Sequence, residues 1–169
     1  FSSCWLCDPS RLSSIRTTQI IPVDLNSFLY KLERQIARLS EIKGQQGCAS
    51  AFNERANARL AAIDRYLWND QQGAYFDYDW VKRAPRDNLT AATVTPLFVK
   101  LASADQAGRV ADIVRERLLA PGGLSTTEIS GSGEQWDRPN GWAPLQWMGI
   151  RGLQHYGHDA LALQIEERW

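Results

Sequence analysis

The chain has 169 residues, 44% of them hydrophobic, enough for one domain with a sizeable core. Lysine plus arginine and aspartate plus glutamate each number 19, so the formal net charge is zero, whereas a nucleic-acid or anionic-membrane partner would call for a basic excess. No apolar run approaches the roughly 20 residues of a membrane span, and the first residues lack the basic-then-apolar order of a signal peptide.

Residues 1–23 read as mostly irregular, with a turn at Asp8-Pro9-Ser10. A helix is expected from Asp24, just after Pro22, to Gly44. Its apolar stripe is Leu25, Phe28, Leu29, Leu32, Ile36 and Leu39, with Lys31, Glu33, Arg34 and Arg38 on the other side. A second helix is expected over 49–68 with the stripe Phe52, Ala56, Leu60, Ile63 and Leu67. After a turn at 69–73, Ala74 to Trp80 reads as a short strand or extended loop, whose Asp77 and Asp79 are expected to be solvated or to bond backbone. A third helix is expected over 88–102, with Pro96 imposing a kink or a late start. Ser103 and Gln106 have capping-box spacing and open a fourth helix to about Leu119, broken by Pro121-Gly122-Gly123. A fifth helix starts near Gly141 or Trp142, with Asn140 as a candidate cap, and stops at Gly157; a sixth runs from His158 to the end. His155 and His158 read as structural or capping groups.

Helix, short link, helix, then a long decorated loop is the pattern of antiparallel helix pairs, so the fold class is all-α, an α/α toroid in part. Three cysteines (Cys4, Cys7 and Cys48) with no adjacent histidine make no zinc site, and no metal or cofactor is expected.

The loop before the fifth helix carries the chemistry. Glu134-Gln135-Trp136-Asp137-Arg138-Pro139-Asn140-Gly141-Trp142-Ala143-Pro144 holds two Trp, two carboxylates, two Pro and a Gly, so it is no helix interior. Trp stacks on the C–H face of a sugar, while Gln, Asp and Asn bond its hydroxyls. Gln135, Trp136, Asp137, Asn140 and Trp142 are therefore the candidate substrate-binding residues, with a buried aromatic loop bonding its own backbone as the alternative.

The stretch Gln135-Trp136-Asp137-x-Pro139-Asn140-Gly141-Trp142-Ala143-Pro144 resembles the second signature motif of the trehalases, which split α,α-trehalose into two glucoses. Phe1-Ser2-Ser3-x-Trp5, Ile15 to Asn26, Tyr66-Leu67-Trp68, Asp77-Tyr78-Asp79-Trp80 and Leu118-Leu119-x-Pro121-Gly122-Gly123 resemble further trehalase segments in the same order. The resemblance implies a partial (α/α)₆ barrel. Residues 1–169 would form one domain within a larger catalytic barrel extending beyond them on both sides, a monomer in the full-length protein, with the long loops building the pocket. It implies hydrolysis with inversion by two carboxyl groups about 6.5–9.5 Å apart. By resemblance the general acid lies just before Phe1 and the general base after Trp169, so no catalytic residue is expected within the chain. Cys4 stands where an Arg is expected, beside the acid position. Compartment is not legible; the family occurs in bacterial periplasm and cytoplasm.

Glu134 and Asp137 lie three residues apart in one loop and would share one side of a sugar rather than flank it, so Asp137 is read as hydroxyl-binding or loop-ordering; Glu128 is a further rim candidate. Other α/α-toroid glucosidases and a non-catalytic helical scaffold are the alternative functions. The isolated 169 residues are expected to expose apolar helix sides, to be marginally stable and to be inactive.

Overall fold

A computed structural model describes residues 11–169. Phe1 to Trp5, Cys4, Cys7 and the expected turn at 8–10 lie outside these residues. Six α-helices carry the fold: α1 (Val23–Ile42), α2 (Gln46–Tyr66), α3 (Thr95–Phe98), α4 (Ala104–Ile113), α5 (Ala143–His155) and α6 (Asp159–Arg168). Seven two-residue strands, β1 (Ile20–Ile21), β2 (Trp68–Asn69), β3 (Ala74–Tyr75), β4 (Tyr78–Asp79), β5 (Ala84–Pro85), β6 (Leu119–Ala120) and β7 (Gly123–Leu124), lie in the connections.

The helices α1, α3 and α5 lie side by side, with α2 packed on α1 and α6 on α5. Each of the three central helices is entered from a long connection: residues 11–22, 67–90 and 119–142. These connections are joined edge to edge. The strand β1 pairs with β4, setting Ile20 opposite Asp79, and an isolated bridge joins Thr90 to Thr127. One end of the molecule is thus a continuous tract of loops, held over the N-termini of the central helices.

The core explains the central row. Leu89, Val94, Leu97, Val110, Val114, Leu118, Leu124, Leu153, Leu161 and Ile165 are all inaccessible to solvent or nearly so. Close approach of α3 and α5 depends on small residues. A Cβ at Gly152 would meet the Phe98 backbone N at 3.0 Å and the Val94 carbonyl at 3.2 Å, and one at Gly149 would meet Leu124 at 2.9 Å.

Helix α1 departs from its expected orientation. Of its apolar stripe, Leu25, Phe28, Leu32 and Leu39 are 42–56% exposed, whereas Val23, Ser27, Glu33, Ala37 and Ser40 are buried. Small side chains let α1 and α2 approach closely, and the one buried charge is satisfied: Glu33 accepts from Arg59 Nε and Nη2 at 2.9 and 2.7 Å. The apolar stripe faces out of the described residues.

The expected helix over 88–102 is shorter. A 3₁₀ turn at Ala91–Val94, opened by Thr90 accepting from the Ala92 N–H, leads into the four residues of α3, with Pro96 in its first turn. Pro96 dictates the late start because it lacks an N–H and needs none there; Lys100, at φ 64°, ends the segment. The fourth helix ends in a π-helical turn, Val114–Leu118. The capping box at Ser103 and Gln106 is present in both directions.

Candidate functional site

The loop from β7 to α5 is built around Asp137, which is fully buried. Its Oδ1 accepts from Thr127 Oγ1 at 3.2 Å and its Oδ2 from Ser132 Oγ at 2.7 Å. These bonds tie the returning leg of the loop to the outgoing one. The backbone repeats the tie, with Arg138 N donating to the Ile129 carbonyl at 2.8 Å and Ser130 bridged to Arg138. Asn140 does not cap α5. Its Nδ2 donates to the Asp137 carbonyl at 3.1 Å, and the helix is preceded by Trp142 without a side-chain cap. Pro144 in the first turn needs no N–H partner, so the missing cap costs little.

Trp136 and Trp142 stack with ring centroids 4.6 Å apart and planes 14° from parallel. Both are half-buried, so part of the stack is open. The Trp142 indole N–H is buried and has no acceptor among the described residues. Gln135 is exposed and makes no side-chain hydrogen bond among them, and the Asn140 side chain is exposed with its carbonyl oxygen uncommitted. Five candidate residues thus separate into two groups. Asp137 orders the loop, while Trp136 and Trp142 form a half-open stack and Gln135 and Asn140 carry exposed amides on the same loop.

Several residues that shape the loop carry no periodic signal in the sequence. Gln146 is buried in α5 and clamps Leu124, accepting from its N–H and donating to its carbonyl, both at 2.7 Å. Gly123, at φ 92°, stands so close that a Cβ would lie 2.7 Å from Gln146 Oε1. Nothing in the sequence signals the burial of Gln146, whose neighbour Trp147 is itself exposed. Glu128 is not free: Arg117 Nε and Nη2 donate to it at 2.7–2.9 Å, and it accepts from the Leu89 N–H at 3.2 Å.

Two aspartates on the neighbouring connection both bond backbone, as expected, Asp79 buried and Asp77 half-buried, and they differ sharply in their surroundings. Asp79 is buried, accepts from Val81 N and Lys82 N at 3.1 and 2.9 Å, and pairs with Arg16. The Lys82 N–H bond first, and then Arg16, hold its pKa below the ordinary value. Asp77 accepts from Val23 N, at the start of α1, at 2.9 Å. Desolvation pushes its pKa up to about 6. His155 lies against the Leu97 carbonyl and stacks on Phe98, with burial lowering its pKa. Among the described residues no group of three or more His, Cys, Asp or Glu gathers where a metal ion could sit, and no helix is long and apolar enough to cross a membrane.

The sequence matches the Trehalase family over residues 1–169. The chain belongs to the trehalase family. Its structure is similar to that of neutral trehalase from Saccharomyces cerevisiae, with a TM-score of 0.81 and 28% identity, covering 89% of this chain and 31% of that one. It also shares the fold of the GH63 mannosylglycerate hydrolase from Thermus thermophilus in complex with glucose (TM-score 0.76, 22% identity, 88% of this chain and 38% of that one). The architecture is therefore all-α and part of an (α/α)₆ toroid. The chain spans about a third of the length of each of these two structures.

Proposed function

We propose that the chain is the part of an α,α-trehalase that contributes the Gln135–Trp142 sugar loop to a pocket completed by the rest of a longer protein. The observation that carries this reading is the half-open Trp136–Trp142 stack, on a loop that also carries the exposed amides of Gln135 and Asn140, in a chain that matches the trehalase family. Stacked indoles offer a flat apolar face to the C–H side of a glucose ring, and the amides offer paired donors and acceptors to its hydroxyls.

Inverting hydrolysis needs one carboxyl to protonate the leaving oxygen and another to activate a water on the opposite face. Asp137 is committed to two hydroxyls and Glu128 to Arg117, while Glu134 lies three residues from Asp137 and would share one side of the sugar with it rather than flank it. The acid and base are accordingly assigned to segments beyond this chain. Its own residues bind and orient one glucose, and the exposed stripe of α1 is the seam for a neighbouring helix pair of the toroid. The substrate is a small disaccharide, and the full-length protein works as a monomer.

The test is to supply the full-length protein with α,α-trehalose and follow the first-formed glucose anomers by NMR. Inversion releases α- and β-glucose in equal amounts. Release from mannosylglycerate or another glycoside but not from trehalose overturns the substrate. Tryptophan fluorescence indifferent to every sugar overturns the binding role and favours a scaffold.

A further inference from the structure

The open position of the motif, between Asp137 and Pro139, holds Arg138. Its guanidinium is half-buried yet pairs with no carboxylate among the described residues, unlike those of Arg16, Arg59, Arg109, Arg115 and Arg117. It binds a helix end instead. Arg138 Nη2 donates to the Arg117 carbonyl, and Nε to Ser125 Oγ at 3.2 Å. Arg117 lies in the π-helical turn that ends the fourth helix. Carbonyls there lack a partner within the helix and carry the negative end of its dipole, so a cation is favoured. The next carbonyl, of Leu118, is taken by the Ser125 N–H at 2.8 Å.

Arg117 therefore fastens both legs of the loop. Its side chain grips Glu128 on the outgoing leg, and its carbonyl receives Arg138 on the returning one. Trp136 lies two residues before Arg138 and Trp142 four after it, with Asp137 immobilised between. We infer that Arg138 is a positioning residue that registers the Trp136–Trp142 stack against the end of the fourth helix and so sets the affinity for sugar. This rests on the sugar-binding role proposed above for the loop. A residue acting through the stack alters binding more than turnover.

Arg138→Met keeps the apolar stem and removes the donors; Arg138→Lys keeps the charge. In the full-length protein, Arg138→Met is expected to raise KM for trehalose about tenfold with kcat within about twofold, the scale of one lost charge-assisted hydrogen bond. Arg138→Lys recovers part of the loss. Amide hydrogen exchange over 125–140 speeds up in the Met variant, with exchange elsewhere unchanged. Unchanged KM overturns the inference, as does a fall in kcat matching a loss of folded protein with Lys no better than Met. If the wild-type protein leaves trehalose intact, the substrate reading falls by itself. The exchange experiment then decides the inference: faster exchange confined to 125–140 supports it, and unchanged exchange overturns it.

Discussion

The helices α1 and α3 neighbour one another in the central row, yet they are held by opposite means. Around α3, Leu89, Ala91, Val94 and Leu97 are wholly buried in the apolar core, joined by the buried threonines Thr93 and Thr95. Helix α1 turns Ser27, Glu33, Ala37 and Ser40 inward and is anchored by polar groups: Glu33 to Arg59, Asp77 to the Val23 N–H, and Ser40 Oγ to Cys48 Sγ at 3.3 Å. Its apolar stripe points away. The difference shows that an amphipathic pattern names a face to be covered without naming what covers it. For α3 the cover is α5, packed through Gly152; for α1 it lies among none of the described residues.

The comparison can be broken or sharpened by substitution. The largest effect belongs to α3. Leu97→Ala leaves a cavity in a rigid row and is expected to cost about 2–5 kcal/mol in urea denaturation. Next is the charged anchor of α1. Arg59→Met strands Glu33, which is 8% exposed, and should cost about 1–3 kcal/mol, the Arg being partly open to solvent. A cost for Arg59→Met above that of Leu97→Ala would reverse the contrast.

Asp77 gives α1 a pH dependence opposite in direction to that of α3, against which His155 packs with its pKa lowered by burial. Its folded value of about 6 lies above the ordinary 3.8, so the folded state holds the proton more tightly than the unfolded chain. The stability it contributes is full below about pH 4, declines as pH rises to about 6, and is flat above. Asp77→Asn still accepts from Val23 N and carries no charge. It is expected to melt higher than the parent at pH 7.5, by the equivalent of about 1–3 kcal/mol, and to match it near pH 4. Equal melting at both pH values would remove the buried-carboxyl account.

The smallest effect is on the outward stripe. Leu32→Ser should change the stability of the 169-residue chain by less than about 0.5 kcal/mol. In the full-length protein the same change should cost about 2–5 kcal/mol if a helix pair of the toroid covers that face. Equal small effects in both would leave the stripe without its proposed neighbour.

How much of this was legible in the sequence varies by element. The capping box at Ser103 and Gln106 was readable because a cap is local, spanning three residues of backbone. The stops at Gly44 and Gly157 were readable for the same reason, both standing at positive φ. The aromatic loop and its candidate residues were found because Trp, Pro and Asn in that order are rare. The third helix was overestimated because small residues from Leu89 to Val94 suit either a helix or a buried irregular segment, and periodicity does not separate them.

The sequence by itself determined the family, the all-α class, the number of helices among the described residues and the place of the aromatic loop, since these follow from patterns within one segment or from residues shared along the chain. Only the tertiary structure decided which face of α1 is buried, that Asp137 looks inward to Thr127 and Ser132, and that Arg138 reaches the carbonyl of Arg117. Each depends on groups far apart in the chain or on the opposite leg of a loop. Burial, and with it the cost of leaving a polar group unpaired, is fixed only when those partners meet.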